Sequence, residues 1–591
     1  MSSSFARSDS TGNDFRSFLS DDWMRWLSEY PELGTDFGVA GFNDRWKDDS
    51  IEGIERRRGH LSESIRRLTE FDPAGLDGAD WLNHSLYHHL LENAQTGVGL
   101  GYDPLPFDLG EPHDLRMPMN QLEGIHIAAV DALDLAPRAR LSDYEDRLSR
   151  LRALPGAIAQ QQALLERGLA GGFTPPRIAV AGLPDQVGNL VREEPTESAL
   201  LAPFGDFPSW VGPSDRSRLV SEACSTYLDH VAPALRTLQG FLTSRYVPQC
   251  RTTVGASALP NGAATYTYLV QRMTTTDLTP QQIHEIGVRE VRHLREEMSA
   301  LMVRAHFEGS FDQFTEFLRT DPQFYWTRGE DLLNGYRVIG KKIDPQLGRF
   351  FGRLPRLPYG ILPVPSFREK TSPAAYYISG APATGRAGYF YASTYQVGVR
   401  PRWEMEALTL HEAVPGHHLQ IALAQELDHL PEFRRQSGPT AYIEGWGLYA
   451  ESLGEELGFY VDPYSKFGQL TFDAWRSIRL VVDTGIHAMG WTRDQAIQYM
   501  RENSGMSDVG IAVEVDRYIV WPGQALAYKL GQLKIREMRT LAETSLGEQF
   551  DVRAFHDLVL GEGALPLREL EGRVRHWVDT RTAEHPPPAG S

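Results

Sequence analysis

Cysteine is nearly absent from this chain. Cys224 and Cys250 are the only two in 591 residues, and neither belongs to a Cys-x-x-Cys pair. That scarcity excludes a disulfide framework and argues against a thiolate metal site. Positive charge is also short: 59 Lys and Arg stand against 78 Asp and Glu, a formal net charge of -19. A surface that acidic repels phosphate backbones and anionic lipid, so neither nucleic acid nor a membrane surface is an expected partner. The sequence has no run of 18 apolar residues, the length a helical membrane span requires. Residues Met1–Arg7 show no basic segment leading into an apolar run, so a cytoplasmic chain is expected. Internal repeats are missing as well.

What is present suits a large globular enzyme. Hydrophobic residues make up 41% and charged residues 23%, an ordinary balance for a chain with a sizeable core. The length exceeds one ordinary core, so two lobes are expected: a helical lobe over 14–250 and a second over 251–580. The tail 581–591, with Pro586, Pro587 and Pro588, is expected to be disordered. Apolar residues recur at helical spacing from Asp14 to about Gln95, and further helices are expected near 113–132, 137–169 and 215–244. Thr279, Pro280 and Gln282 form a helix start, with a cap, a first-turn proline and a capping-box glutamine. Residues 355–400 are proline-dense, with two strand-like runs, Ala374–Ile378 and Gly388–Ser393. From Arg402 to about Val578 the pattern is helical again.

One segment carries chemistry. A hydrolytic metal site needs three protein ligands, a water and a base beside it. His-Glu-x-x-His on a helix is the common solution, because positions i and i+4 share a face. Here the chain reads His411-Glu412-Ala413-Val414-Pro415-Gly416-His417-His418, with proline where the second histidine belongs. On a regular helix His417 lies about 120° round from His411, and His418 about 20° off but roughly 10.5 Å along the axis. Neither then shares an ion with His411. Pro415 cannot donate the helical hydrogen bond and Gly416 accepts unusual dihedrals, so the pair predicts a bulge or kink that returns His417 to the metal. The competing reading is a proline-kinked core helix with satisfied histidines. By contrast, His284-Glu285 has no histidine at i+4 or i+6 and reads as ordinary surface helix.

A third ligand comes from the next helix, opened at Thr440. Glu444 sits there among apolar and aromatic residues, where an unpaired carboxylate is costly to bury and a cation removes the cost. The alternative pairs Glu444 with Arg476 or Arg479. Glu451, on the same face, and Gln420 are candidates to orient a ligand histidine. An N, N, O ligand set makes a single Zn2+ the first choice of metal.

Four stretches, Leu408–Gln420, Tyr442–Glu451, Arg476–Trp491 and Arg517–Gly531, resemble the DUF885 family of bacterial proteins, which is grouped with the zincin-like metallopeptidases. The family pattern, His-Glu-x-x-Pro-Gly-His-x-x-Gln, puts the second ligand at His417 and leaves His418 free. The resemblance implies one domain over 14–580. It implies a mainly α-helical fold with a small β-sheet beside the active-site cleft, in a two-lobed architecture similar to the thimet oligopeptidase and Taq carboxypeptidase groups. It supplies no substrate.

The expected ligands are therefore His411, His417 and Glu444, with Glu412 as general base. Tyr518 and Tyr528, set apart by the Pro522-Gly523 turn, are the candidate donors to a developing oxyanion. His487 either faces the cleft or is a core histidine bonded to a backbone carbonyl. Arg517, Gln524 and Lys529 are candidates to hold substrate, with solvation of the cations or their pairing to Glu514 and Asp516 as the alternative. Tyr389 and Tyr391, on an expected edge strand, are candidates to align a peptide by strand addition. The expected function is a zinc hydrolase acting on short peptides or amino-acyl amides. A hydrolase or lyase on a non-peptide metabolite uses the same metal and base, and a helical binding scaffold with a relic site is the third reading. Oligomeric state is not legible.

Overall fold

The computed structural model describes residues 2–365, 369 and 373–584. Helix dominates, with one three-stranded sheet among the described residues. Contacts divide the chain into two compact units. One comprises Met1–Asp108, Pro112–Gly262 and Pro431–Phe433, and the other Leu109–Glu111, Ala263–Leu430 and Arg434–Ser591. The boundary expected after residue 250 therefore moves to 262. Arg251 explains the shift: its backbone N–H and side chain donate to the Thr174 hydroxyl and carbonyl at 3.0 and 2.8 Å, which ties this segment to the first unit.

In the first unit, Leu141–Ala170 is the central helix. Tyr144, Leu148, Leu151, Ile158 and Leu165 recur at three- and four-residue steps on its buried face. Arg147 is fully buried. It donates to the carbonyls of Leu133 and Pro137 at 2.8 Å, satisfying the end of the Ile125–Leu135 helix. The helix expected over 113–132 begins only at Ile125, because Pro118 and Gly124, the latter at φ 131°, hold the preceding segment irregular.

The second unit carries the motif. Thr279 caps Pro280–Arg304 with the reciprocal Gln282 bond that the sequence predicts. His284 on this helix is half-buried and hydrogen-bonded to Thr484 at 2.9 Å, so it is a packing residue rather than an ordinary surface one. The sheet contains β1 (Tyr359–Pro363), β2 (Ala375–Ile378) and β3 (Gly388–Ala392), in the order β1-β3-β2. β1 pairs parallel and β2 antiparallel to β3. β1 was hidden by Pro358, Gly360 and Pro363, which strand patterns disfavour. Tyr389 and Tyr391 lie on the central strand, not on an edge. Its ladder bonds are used on both sides, so strand addition at those residues has no free backbone.

The helices that follow build the site: α1 (Met405–Glu412), α2 (His417–Gln425), α3 (Thr440–Ser452), α4 (Pro463–Ala488), α5 (Asp508–Val520) and α6 (Ala527–Leu546). The last helix, Leu567–Glu584, includes residues 581–584 of the expected tail, and residues 585–591 lie outside the described set. Among the described residues no helix is long and apolar enough to cross a membrane.

Candidate metal centre

The chain does not kink between the histidines; it stops and restarts. α1 ends at Glu412 and α2 begins at His417, with Val414-Pro415 in the cis form between them. Pro415 cannot continue the ladder, and its carbonyl accepts from the Trp446 indole N–H at 2.8 Å, which fastens the turn to α3. Gly416 is obligatory: a Cβ there would sit 1.9 Å from the His411 carbonyl oxygen. The reversal brings the two imidazoles to 4.7 Å between centroids, at 85° to one another.

Glu444 completes the cluster from α3. One ligand atom each from His411, His417 and Glu444 lies within 4.8 Å of the others. Glu444 Oε2 is 3.5 Å from Nε2 of both histidines, yet it is buried with no hydrogen-bond partner. That is the spacing of coordination rather than of hydrogen bonding. Ligand atoms about 2.0–2.1 Å from a tetrahedral zinc stand about 3.3–3.4 Å apart. The donor set and its orphaned oxygen therefore fit a divalent cation. The potential points the same way. Burial lowers the His411 pKa, but Glu444 and Glu451 more than offset it and push it up to about 9. Burial raises Glu444, and the two imidazoles overcome this to hold it well below the carboxylate range. The negative potential behind both shifts attracts cations, and a metal that binds here must displace the His411 proton.

His411 is braced behind. Its Nδ1 donates to Glu451 Oε1 at 2.8 Å, and Glu451 is fully buried. The carboxylate fixes the tautomer and leaves the Nε2 lone pair facing Glu444. Gly447, one turn before Glu451, lets the ring lie against α3, since a Cβ there would be 2.8 Å from His411 Cε1. Glu451→Gln is expected to weaken metal binding about 10- to 100-fold, read by competition with a chromophoric chelator. An unchanged affinity would remove Glu451 from this role. Gln420, the other candidate brace, is buried with its Oε1 unpartnered.

His418 does not join the cluster. Its Nδ1 meets the Tyr377 hydroxyl at 2.9 Å and its Nε2 the Leu357 carbonyl at 3.0 Å, so both nitrogens serve to hold α2 to the sheet. Burial drives its pKa down to about 4. Glu412 is buried beside the ligands, and burial raises its carboxyl while His411 and His417 lower it.

Tyr528 lies over His411, with ring centroids 6.5 Å apart and planes 17° from parallel. Its hydroxyl accepts from Arg517 at 3.1 Å and from Gln524 at 3.2 Å. Both lone pairs are thus used, and its own proton is left to donate elsewhere. Tyr518 stands one layer back, accepting from the Trp475 indole at 2.9 Å and from Arg479 at 3.1 Å. His487 proves to be the core histidine of the two readings: its Nε2 meets the Tyr518 carbonyl at 2.8 Å and its ring packs on Tyr266. Lys529 is buried and committed to neighbouring side chains. Its ammonium meets Asp473 at 2.7 Å, Gln532 at 3.0 Å and Glu290 at 3.1 Å, which occupies all three donors.

The sequence singled out Arg476 and Arg479 only as partners for Glu444, and they are not. Arg479 pairs with Glu514 at 3.2 Å, and Arg476 approaches Glu451 at 3.9 Å. Both pack on the faces of Trp475 and Tyr528. Their spacing, i and i+3 on α4, was a visible signal, but it does not say which way the face points. Asp516, the other carboxylate expected beside Arg517, pairs with Arg493 at 2.6 Å.

Fold and site together define a mainly helical protein with a small mixed sheet and a His, His, Glu cluster flanked by a buried glutamate. The chain belongs to the family described as "Bacterial protein of unknown function (DUF885)", whose model matches residues 31–574. A solved structure from Colwellia psychrerythraea, described as a "putative lipoprotein", is similar with a TM-score of 0.89 at 25% identity. It covers 96% of this chain and 99% of that one. Another from Shewanella oneidensis, "a putative lipoprotein of unknown function", gives 0.67 at 15% identity over 94% and 99%. No curated protein matches the chain.

Proposed function

We propose that this protein is a zinc-dependent hydrolase of short peptides or amino-acyl amides, with a zincin-like catalytic arrangement akin to that of thimet oligopeptidase and Taq carboxypeptidase. The observation that carries the reading is the orphaned Glu444 Oε2, set 3.5 Å from two imidazole nitrogens beside the buried Glu412. His411, His417 and Glu444 would hold the ion, which when bound supplies Lewis acidity toward a water and a carbonyl oxygen. Glu412 accepts the proton from the attacking water and returns it to the leaving amine. Tyr528 donates its remaining proton to the carbonyl oxygen as negative charge develops there. Glu451 keeps the His411 ring in register throughout.

Removing the metal tests the reading directly. Dialysis against a chelator should abolish cleavage of a mixed peptide library, followed by mass spectrometry, and one equivalent of Zn2+ per chain should restore it. A metal-loaded protein that leaves the whole library intact would sink the peptidase assignment.

A further inference from the structure

Beside the metal cluster lies a concentration of positive charge that nothing so far uses. Arg476 and Arg479 on α4 are buried, with side chains 6% and 2% exposed, and Arg517 on α5 is 20% exposed. All three gather round one ring. Arg479 Cζ lies 4.5 Å and Arg476 Cζ 5.9 Å from the Tyr528 centroid, and Arg517 donates to the Tyr528 hydroxyl. Among the described residues Glu514 is the one carboxylate at hydrogen-bond distance from any of these guanidiniums, through Arg479 at 3.2 Å, with Arg517 at 4.0 Å. Glu451, near Arg476, is already bonded to His411. Glu111 lies close enough to Arg517 to sense its charge.

Stacking does not exhaust these groups. Arg479 sits between Trp475, 4.4 Å from its Cζ, and Tyr528. Contacts through the faces of the guanidinium leave its in-plane N–H fork for hydrogen bonds. Two positions of that fork are filled, Nε by Tyr518 and Nη2 by Glu514, while Nη1 is buried with no partner. Arg476 Nε and Arg517 Nε are buried and unpartnered as well. Buried donors without acceptors are costly, and buried guanidinium more so. A planar anion entering beside Tyr528 would satisfy them.

We propose that this cluster, centred on Arg479 and Arg517, receives the C-terminal carboxylate of the peptide, so that the enzyme removes at most about three residues from free C-termini. The inference rests on the hydrolase reading above and gives it a substrate class. The Tyr528 ring centroid lies 6.5 Å from that of His411 and 4.5 Å from Arg479 Cζ, so His411 and Arg479 are at most about 11 Å apart. A residue of extended chain spans at most about 3.3–3.6 Å. At most about three residues therefore bridge the two sites, and a long C-terminal extension does not fit between them. Lys529 cannot substitute, because its donors are committed to Asp473, Gln532 and Glu290.

The test uses zinc-loaded protein carrying Glu412→Gln, so that bound peptide is not consumed, and calorimetry with Phe-Ala-Ala as the free acid and as its C-terminal amide. The acid should bind roughly ten- to a hundredfold tighter, the range of a charge-assisted pair. That preference should collapse on adding Arg479→Gln or, at the more exposed position, Arg517→Gln. Equal binding of acid and amide in the Glu412→Gln protein overturns the inference without any arginine variant having to fold. If unmodified enzyme also cleaves both peptides, the hydrolase reading survives that result. Preference for the acid without cleavage of either peptide by unmodified enzyme would have the opposite meaning, keeping the carboxylate site and removing the peptidase. Binding of neither peptide overturns the inference.

Discussion

Glu412→Gln should retain one divalent ion per chain and, in the hydrolase proposed above, lose about 10²- to 10⁴-fold in kcat on every peptide substrate. The two halves of this result have separate causes. Glu412 is not part of the three-atom cluster of His411, His417 and Glu444, so the isosteric amide leaves the ligands in place. It does remove the buried carboxylate to which the proposed mechanism assigns the proton from the attacking water. A loss confined to kcat, with KM near its original value, identifies a group needed for the chemical step rather than for binding. Full activity in this variant, on any substrate, would falsify the general-base assignment. Loss of metal together with activity would instead make Glu412 a ligand.

The second large effect separates adjacent histidines. His417→Ala should abolish stoichiometric metal binding, whereas His418→Ala should keep the ion and lose stability. His417 Nε2 lies 3.5 Å from Glu444 Oε2. His418 spends both nitrogens on Tyr377 and Leu357. Removing it costs the part-buried Leu357 carbonyl and Tyr377 hydroxyl one bond each, at up to about 1–3 kcal/mol each. Metal analysis of the two purified variants, with thermal melts of their metal-free forms, distinguishes the roles. If His418→Ala is the variant that loses the ion, the choice of second ligand is wrong.

Much of the architecture was legible because it depends on local chemistry. The Thr279 cap is a property of four consecutive residues, and the structure contains both of its reciprocal bonds. Helical periodicity identified the long elements. The failures have equally physical origins. β1 is held by β3 and not by its own composition, so Tyr359–Pro363 gave no strand signal. Tyr389 alternates correctly, but alternation cannot tell a central strand from an edge. Lys529 was a candidate to hold substrate, and a salt-bridged core lysine has the same sequence appearance.

By itself the sequence determined that His411 and His417 stand at a spacing a regular helix cannot serve, and that Pro415-Gly416 must interrupt it. Those are constraints on backbone dihedrals and missing donors, and they act within a few residues. Only the tertiary structure decided that the interruption turns both imidazoles toward one carboxylate, that Glu451 braces one of them, and that three arginines surround Tyr528. Each of those depends on how separate helices dock, and docking is set by side-chain packing between residues far apart in the chain.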